Sequence, residues 1–196
     1  MESLASMDSI RTSTEAKLNT GKQKKDAGDQ AFKKGDTQGA LKSYYEALMY
    51  LLGIDKTGLQ SLGLFQPPTS ASDATKDPKL KEKTEVDEII EKIYANMSAC
   101  HIKNQNWKRA VETADKALQK NENNYKAMFR KAKGLGEQGF FEKASKILED
   151  LKTKSPADAA AATVELAHLK AIDDKRERAH KQKMKGFLNR KKDDQE

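Results

Sequence analysis

Two stretches of this 196-residue chain, WKRAVETADKAL from Trp107 and FEKASKILEDLKTKSP from Phe141, superpose with Ala110 on Ala144, an offset of 34 residues. A fixed period of this size marks a repeat architecture, in which each unit buries its apolar face only by stacking on its neighbours. The segment DTQGALKSYYEAL carries the same pattern, with Ala40 and Ala47 spaced as Ala110 and Ala117 are. Ala40 precedes Ala110 by 70 residues, so one period and 36 further residues separate the first two units.

The composition narrows what such units are made of. Only 36% of the residues are apolar and 34% are charged, which suits an exposed, elongated helical protein. Four prolines and the lack of alternating Val/Ile/Thr runs argue against sheet, so the expected class is all-α. Turn chemistry divides the helices into hairpins. Gly35 and Gly139 end first helices, Asp36 and Asn106 are N-caps of second helices, and Ser155 with Pro156 starts a final helix. The expected hairpins cover residues 14–52, 84–120 and 123–154, after a flexible N-terminus at 1–13. An insertion fills 53–83, and a C-terminal helix with a charged tail fills 156–196.

At this point the chain resembles the tetratricopeptide-repeat (TPR) family. Gly28, Ala31 and Phe32, with Ala40, Tyr44 and Ala47 in the partner helix, match the pattern of a first repeat. Ala110 and Ala117, then Ala132, Ala144 and Pro156, match the next two, and the likeness covers about two-thirds of the chain. The resemblance implies three helical hairpins wound into a right-handed superhelical cradle for an extended peptide, with a long capping helix after the third. It also gives Gly28 a role. A mid-helix glycine costs about 1 kcal/mol against alanine, and that cost is offset where two helices approach too closely for a side chain.

The polar residues on the first helices are the candidate site. Lys25 and Asp29 lie one turn apart, as do Lys126 and Arg130, and Asn96 stands among apolar and small neighbours. The set resembles the two-carboxylate clamp of TPR co-chaperones, which hold the C-terminal Glu-Glu-Val-Asp of the seventy- and ninety-kilodalton heat-shock chaperones. Lys25, Asn96, Lys126 and Arg130 match that pattern, while Asp29 replaces an asparagine. A peptide ending in Asp presents two carboxylates at once and needs converging donors: lysine as a point charge, arginine as a fixed fork, asparagine as an uncharged amide. The resemblance assigns Lys25 and Asn96 to the terminal carboxylates, and Lys126 and Arg130 to the side-chain carboxylate and the peptide backbone. Taken one at a time, Lys126 and Arg130 also read as an ordinary solvated face and Asn96 as a core or capping amide.

An ionised Asp29 only accepts hydrogen bonds and repels a carboxylate, so the site loses a donor and gains a like charge. Either Asp29 pairs with Lys25, or it accepts from a cationic group or amide on a different ligand. The expectation is that Asp29→Asn tightens the binding of free-acid chaperone tails.

The remaining segments are less specific. QPPTSASDATKDP is loop chemistry, preceded by Leu59, Leu62, Leu64 and Phe65, which read as added packing or as a docking loop. An insertion there resembles the TPR regions of immunophilins and of the tetratricopeptide-repeat protein nine family. Val164, Leu166, Leu169 and Ile172 are placed to cap the solenoid. Met184, Phe187 and Leu188 form a short apolar stripe in a basic helix, read first as packing and second as a partner-binding stripe.

Several function classes are disfavoured. His101, His168 and His180 are far apart, no paired-cysteine spacing exists for a metal, and no nucleophile elbow is present. Gly134, Gly136 and Gly139 follow no strand and do not make a phosphate loop. Neither an enzyme nor a cofactor or metal is expected. The net charge of +7 is concentrated in the tail, where Lys170 to Glu196 hold ten basic and six acidic residues. Mixed signs without a stacking platform argue against nucleic acid. The lone Cys100, the absence of an apolar leader and the absence of any run near 18 apolar residues lead to the expectation of a soluble protein of the cytoplasm or nucleus, away from membranes. The expected function is a non-catalytic adaptor, a co-chaperone holding a chaperone tail and bringing an unidentified client or regulator. The alternative is a TPR scaffold or targeting-signal receptor with another peptide preference.

Overall fold

The structure, a computed structural model, describes residues 2–54 and 84–193, with side chains described over 9–54 and 84–185. Among the described residues there are seven helices and no strand. They are α1 (Glu2–Lys33), α2 (Thr37–Leu52), α3 (Glu85–Lys103), α4 (Trp107–Lys120), α5 (Tyr125–Glu137), α6 (Phe141–Lys154) and α7 (Ala159–Asp193). Consecutive pairs form three hairpins. Each hairpin packs on the next through its first helix, α1 on α3 and α3 on α5, and through contacts of the preceding second helix, α2 on α3 and α4 on α5. Helix α7 lies against α6 and α5.

The repeat period is visible in the turns. Gly35, Gln105 and Gly139 occupy equivalent positions and all have positive φ, 86°, 55° and 91°. Glycine adopts this conformation freely; Gln105 adopts it as a non-glycine residue, for which it is uncommon. The second helix of each of the first two hairpins is then capped by a side chain. Asp36 accepts from the Gly39 amide at 2.8 Å and Asn106 from the Arg109 amide at 3.2 Å. Helix α6 follows Phe140 and has no side-chain cap.

The recurrent spacing of alanines becomes a packing rule. Ala40, Ala47, Ala110, Ala117 and Ala144 are all fully buried, because a methyl is the largest group that fits where paired helices cross closely. Tyr44, Leu51, Ile93 and Met97 fill the core of the first two hairpins, and Leu148, Leu151 and Leu169 that of the third with α7. Gly28 sits against Tyr44: a Cβ added there would lie 2.6 Å from Cε1 and 2.7 Å from Cδ1 of the ring.

Three expectations need correction. Helix begins at Glu2 and is continuous through residues 2–13, the stretch expected to be flexible. Its extension has a surface to lie on: Thr14 and Leu18 are buried, and Ile10, Thr14 and Lys17 border Gly53 and Ile54 at the end of α2. The final helix starts at Ala159, not at Pro156. Residues 156–158 make a turn in which the Ser155 hydroxyl meets Asp158 at 2.7 Å and the Asp158 carbonyl accepts from the Ala162 amide. Third, Val164 is 71% exposed; the stripe of α7 that caps the solenoid runs through Ala162, Glu165, Leu166, Leu169 and Ile172, and Val164 lies roughly 200° around the helix from Ala162. Leu59, Leu62, Leu64 and Phe65 lie outside the described residues, as do the side chains of Phe187 and Leu188; Met184 is 47% exposed.

Arg176 secures α7. It donates to the carbonyls of Gly136 at 3.0 Å and Glu137 at 2.7 Å, placing a cation on the open C-terminal end of α5. No described helix is long and apolar enough to cross a membrane.

Candidate peptide-binding site

Helices α1, α3 and α5 carry the candidate residues, and hydrogen bonds join Lys25, Asp29 and Asn96 and set Arg130 beside Asn96. The centre is Asp29. Lys25 donates to its Oδ2 at 2.7 Å, and the Tyr44 hydroxyl and the Asn96 amide donate to its Oδ1 at 2.6 and 2.9 Å. Three helices, α1, α2 and α3, thus meet on one carboxylate. The structure realises the first of the two roles open to Asp29, the pairing with Lys25, and adds two donors that spacing along the helix did not reveal.

The fifth helix continues the site. Arg130 donates through Nη1 to the Ala95 carbonyl at 2.7 Å, beside Asn96. Lys126, one turn earlier on α5, is exposed and makes no hydrogen bond or ion pair among the described residues. Cys100, two residues beyond Ser98 on α3, is fully buried, and burial pushes its thiol up to about 11. It is a small apolar packing group and not a nucleophile at neutral pH.

The electrostatics follow from these contacts. Burial alone would raise the Asp29 carboxyl, but the hydrogen bonds from Lys25 and Tyr44, the Lys25 charge and the Asn96 amide together hold it below its ordinary value. Tyr44 shifts up strongly, through burial first and then through its bond to Asp29, and so keeps its proton. Burial depresses the Arg130 guanidinium, which remains charged because its starting value is so high. A carboxyl that titrates below its ordinary 3.8 when folded contributes stability in full above that value and loses it as pH falls through the lower folded value. Asp29→Asn is therefore expected to flatten the loss of unfolding free energy below about pH 4. Urea denaturation in steps from pH 7 to pH 3 measures this; acid limbs of equal slope would count against an ionised, triply bonded Asp29.

Two supporting residues escaped the sequence reading. Tyr44 was visible only as a repeat aromatic, yet its hydroxyl orients Asp29. Glu91 is 6% exposed in α3 and accepts from the Asn121 and Asn124 amides at 2.7 and 2.8 Å. Asn124 in turn caps α5 by accepting from the Ala127 amide at 2.9 Å, so Glu91 sets the start of the helix that carries Lys126 and Arg130. A charged residue within the buried stripe Val86, Ile89, Ile90 and Ile93 was the available signal. Among the described residues no cluster of His, Cys, Asp and Glu is suited to a metal ion.

This arrangement of three hairpins and a capping helix defines a TPR superhelix. Solved structures share the fold. The C-terminal TPR-containing domain of a Plasmodium falciparum FK506-binding protein matches with a TM-score of 0.64 at 21% identity, over 86% of this chain and 95% of that one. The TPR2B domain of yeast Sti1, solved as a complex with pHsp70, matches at 0.55 and 17% identity over 78% and 97%. The second TPR domain of human RPAP3, solved with the HSP70 peptide SGPTIEEVD, matches at 0.51 and 17% over 80% and 98%. At these identities the likeness is one of fold. No protein-family model matches the sequence.

Proposed function

We propose that the protein is a non-catalytic TPR adaptor, a co-chaperone whose cradle binds an acidic peptide tail of the seventy- or ninety-kilodalton heat-shock chaperones. The observation that carries this reading is the unneutralised pair on α5. Lys126 is free of partners among the described residues, and Arg130 spends a single N–H on Ala95 beside Asn96, so one face of α5 carries two cations without an acidic partner among the described residues. Side-chain carboxylates of an extended peptide satisfy both, one as a point charge and one through a planar fork. The TPR domain of human RPAP3 named above was solved with a peptide ending Glu-Glu-Val-Asp, whose chemistry suits such a surface. A client or regulator would be held by other faces of the solenoid.

Lys126→Glu tests the reading with little risk to folding, since the residue is exposed and makes no hydrogen bond or ion pair among the described residues. With fluorescein-labelled SGPTIEEVD, anisotropy is expected to show at least about tenfold weaker binding, equivalent to about 1.4 kcal/mol, with an unchanged thermal midpoint. Equal affinity of the variant, or no binding by the parent chain, would reject the acidic-tail cradle. A second reading, a TPR scaffold or targeting-signal receptor with another peptide preference, is favoured by one observation: Asp29 already accepts from Lys25, Asn96 and the buried Tyr44 hydroxyl.

A further inference from the structure

The two ends of the surface differ in how much of their donor capacity is left for a ligand. At the α1–α3 end, the Lys25 ammonium, the Tyr44 hydroxyl and the Asn96 amide all converge on Asp29 within 2.6–2.9 Å. Lys25 also reaches Asp26 at 3.3 Å. A carboxylate offers about four acceptor sites, and Asp29 has filled three of them from groups on three different helices. The positive charge of Lys25 is cancelled at ion-pair distance by a residue of its own helix. At the α5 end, Lys126 and Arg130 carry two positive charges that no acidic side chain neutralises among the described residues.

A peptide α-carboxylate arriving at the α1–α3 end would meet a fixed negative charge, a lysine already neutralised by it, and a donor set reduced to one N–H each from Lys25 and Asn96. The N–H groups that Lys25 and Asn96 keep lie beside that charge, so an arriving carboxylate gains them only against the repulsion of Asp29. A side-chain carboxylate arriving at the α5 end meets no such competitor. We propose, building on the acidic-peptide reading of the cradle, that Asp29 is a built-in anion seated among the donors of the α1–α3 end, so that the site reads side-chain carboxylates at Lys126 and Arg130 and accepts an acidic segment with or without a free C-terminus. Asp29 is then the specificity-determining residue. The ligand class widens from chain ends to internal acidic stretches.

The test uses the full chain and labelled SGPTIEEVD in two forms, free acid and C-terminal amide. The parent chain is expected to bind both within about twofold. Asp29→Asn, which keeps the shape and removes the charge, is expected to favour the free acid by about tenfold, because the like charge is gone and Lys25 is no longer neutralised by residue 29. Replacing both glutamates of the amide peptide by glutamine is expected to weaken binding to the parent chain at least about tenfold. Tenfold or greater loss on amidation with the parent chain would overturn the proposal while leaving the cradle reading intact, and so would an unchanged free-acid preference in a folded Asp29→Asn variant. Failure of the parent chain to bind either form would reject the cradle reading itself. Should Asp29→Asn fail to fold, the parent ratio alone decides.

Discussion

Lys133→Ala is expected to lower the unfolding free energy by about 2 kcal/mol, well beyond what an exposed ion pair is worth. The partner of Lys133 is Glu165 on α7, 3.1 Å from the ammonium and 7% exposed. The second carboxylate oxygen, Oε1, is buried and has no hydrogen-bond partner. Among the described residues Lys133 is therefore the single donor compensating a carboxylate held between α5 and α7, and its removal leaves that charge in a poorly solvated seam. Breaking a fully buried pair costs about 3–5 kcal/mol; the figure is reduced here because the lysine side chain is 28% exposed. The double replacement Lys133→Met with Glu165→Leu removes both charges and is expected to recover most or all of the loss. Urea denaturation of the three chains measures the loss and its recovery. A single variant within about 0.5 kcal/mol of the parent would show that the pair behaves as a surface contact. Since α7 covers the last hairpin through Leu169 and Ala162, the Lys133 variant should also loosen the end of the solenoid before its beginning.

Gly28→Val is the second large effect, expected at about 3 kcal/mol or more, with Gly28→Ala at about 1–2 kcal/mol. Helix propensity works the other way, since alanine is better than glycine in a helix interior by about 1 kcal/mol. Packing wins because the new Cβ would sit 2.6 Å from the Tyr44 ring, and the ring has little freedom to move. Tyr44 is fully buried and its hydroxyl is committed to Asp29 at 2.6 Å. Relief by shifting the ring therefore disturbs the donor set around Asp29, so stability and peptide binding should fall together. Thermal denaturation followed by far-ultraviolet circular dichroism, with anisotropy on the same samples, tests both halves. A stabilised Gly28→Ala would mean that α1 and α2 can separate by a few tenths of an ångström at no cost.

Much of the fold was legible because it rests on local and periodic chemistry. The 34-residue recurrence, the alanines at the helix crossings and the caps at Asp36 and Asn106 each act within one or two turns of chain. The cap on the second hairpin was legible while the turn before it was not. Gln105 adopts the left-handed conformation that glycine supplies in the other two hairpins, so composition offered no cue. The start of α1 was misplaced for a related reason. Among the described residues, Ile10, Thr14 and Lys17 border the far end of α2, and no local signal near Thr14 reports a surface contributed from residues 51–54. Val164 was placed inward by its apolar character, whereas the charged Glu165 occupies the buried stripe because Lys133 neutralises it.

The candidate site divides in the same way. Residue type and helical spacing alone identified Lys25, Asp29, Lys126 and Arg130 as side chains in pairs on shared faces, and with Asn96 they carried the resemblance to a carboxylate receptor. They could not say whether Asp29 faces a ligand or its own protein, because its acceptor capacity is filled from residues 15 and 67 positions away, as well as from Lys25. By itself the sequence determined the helical hairpins, their period and the excess of donors on their inner helices, since those depend on side-chain chemistry at fixed offsets. Only the tertiary structure decided which donors are already engaged. That depends on distances between helices, and the stacking of hairpins sets those distances by bringing Tyr44 and Asn96 onto one carboxylate while leaving Lys126 unpaired among the described residues.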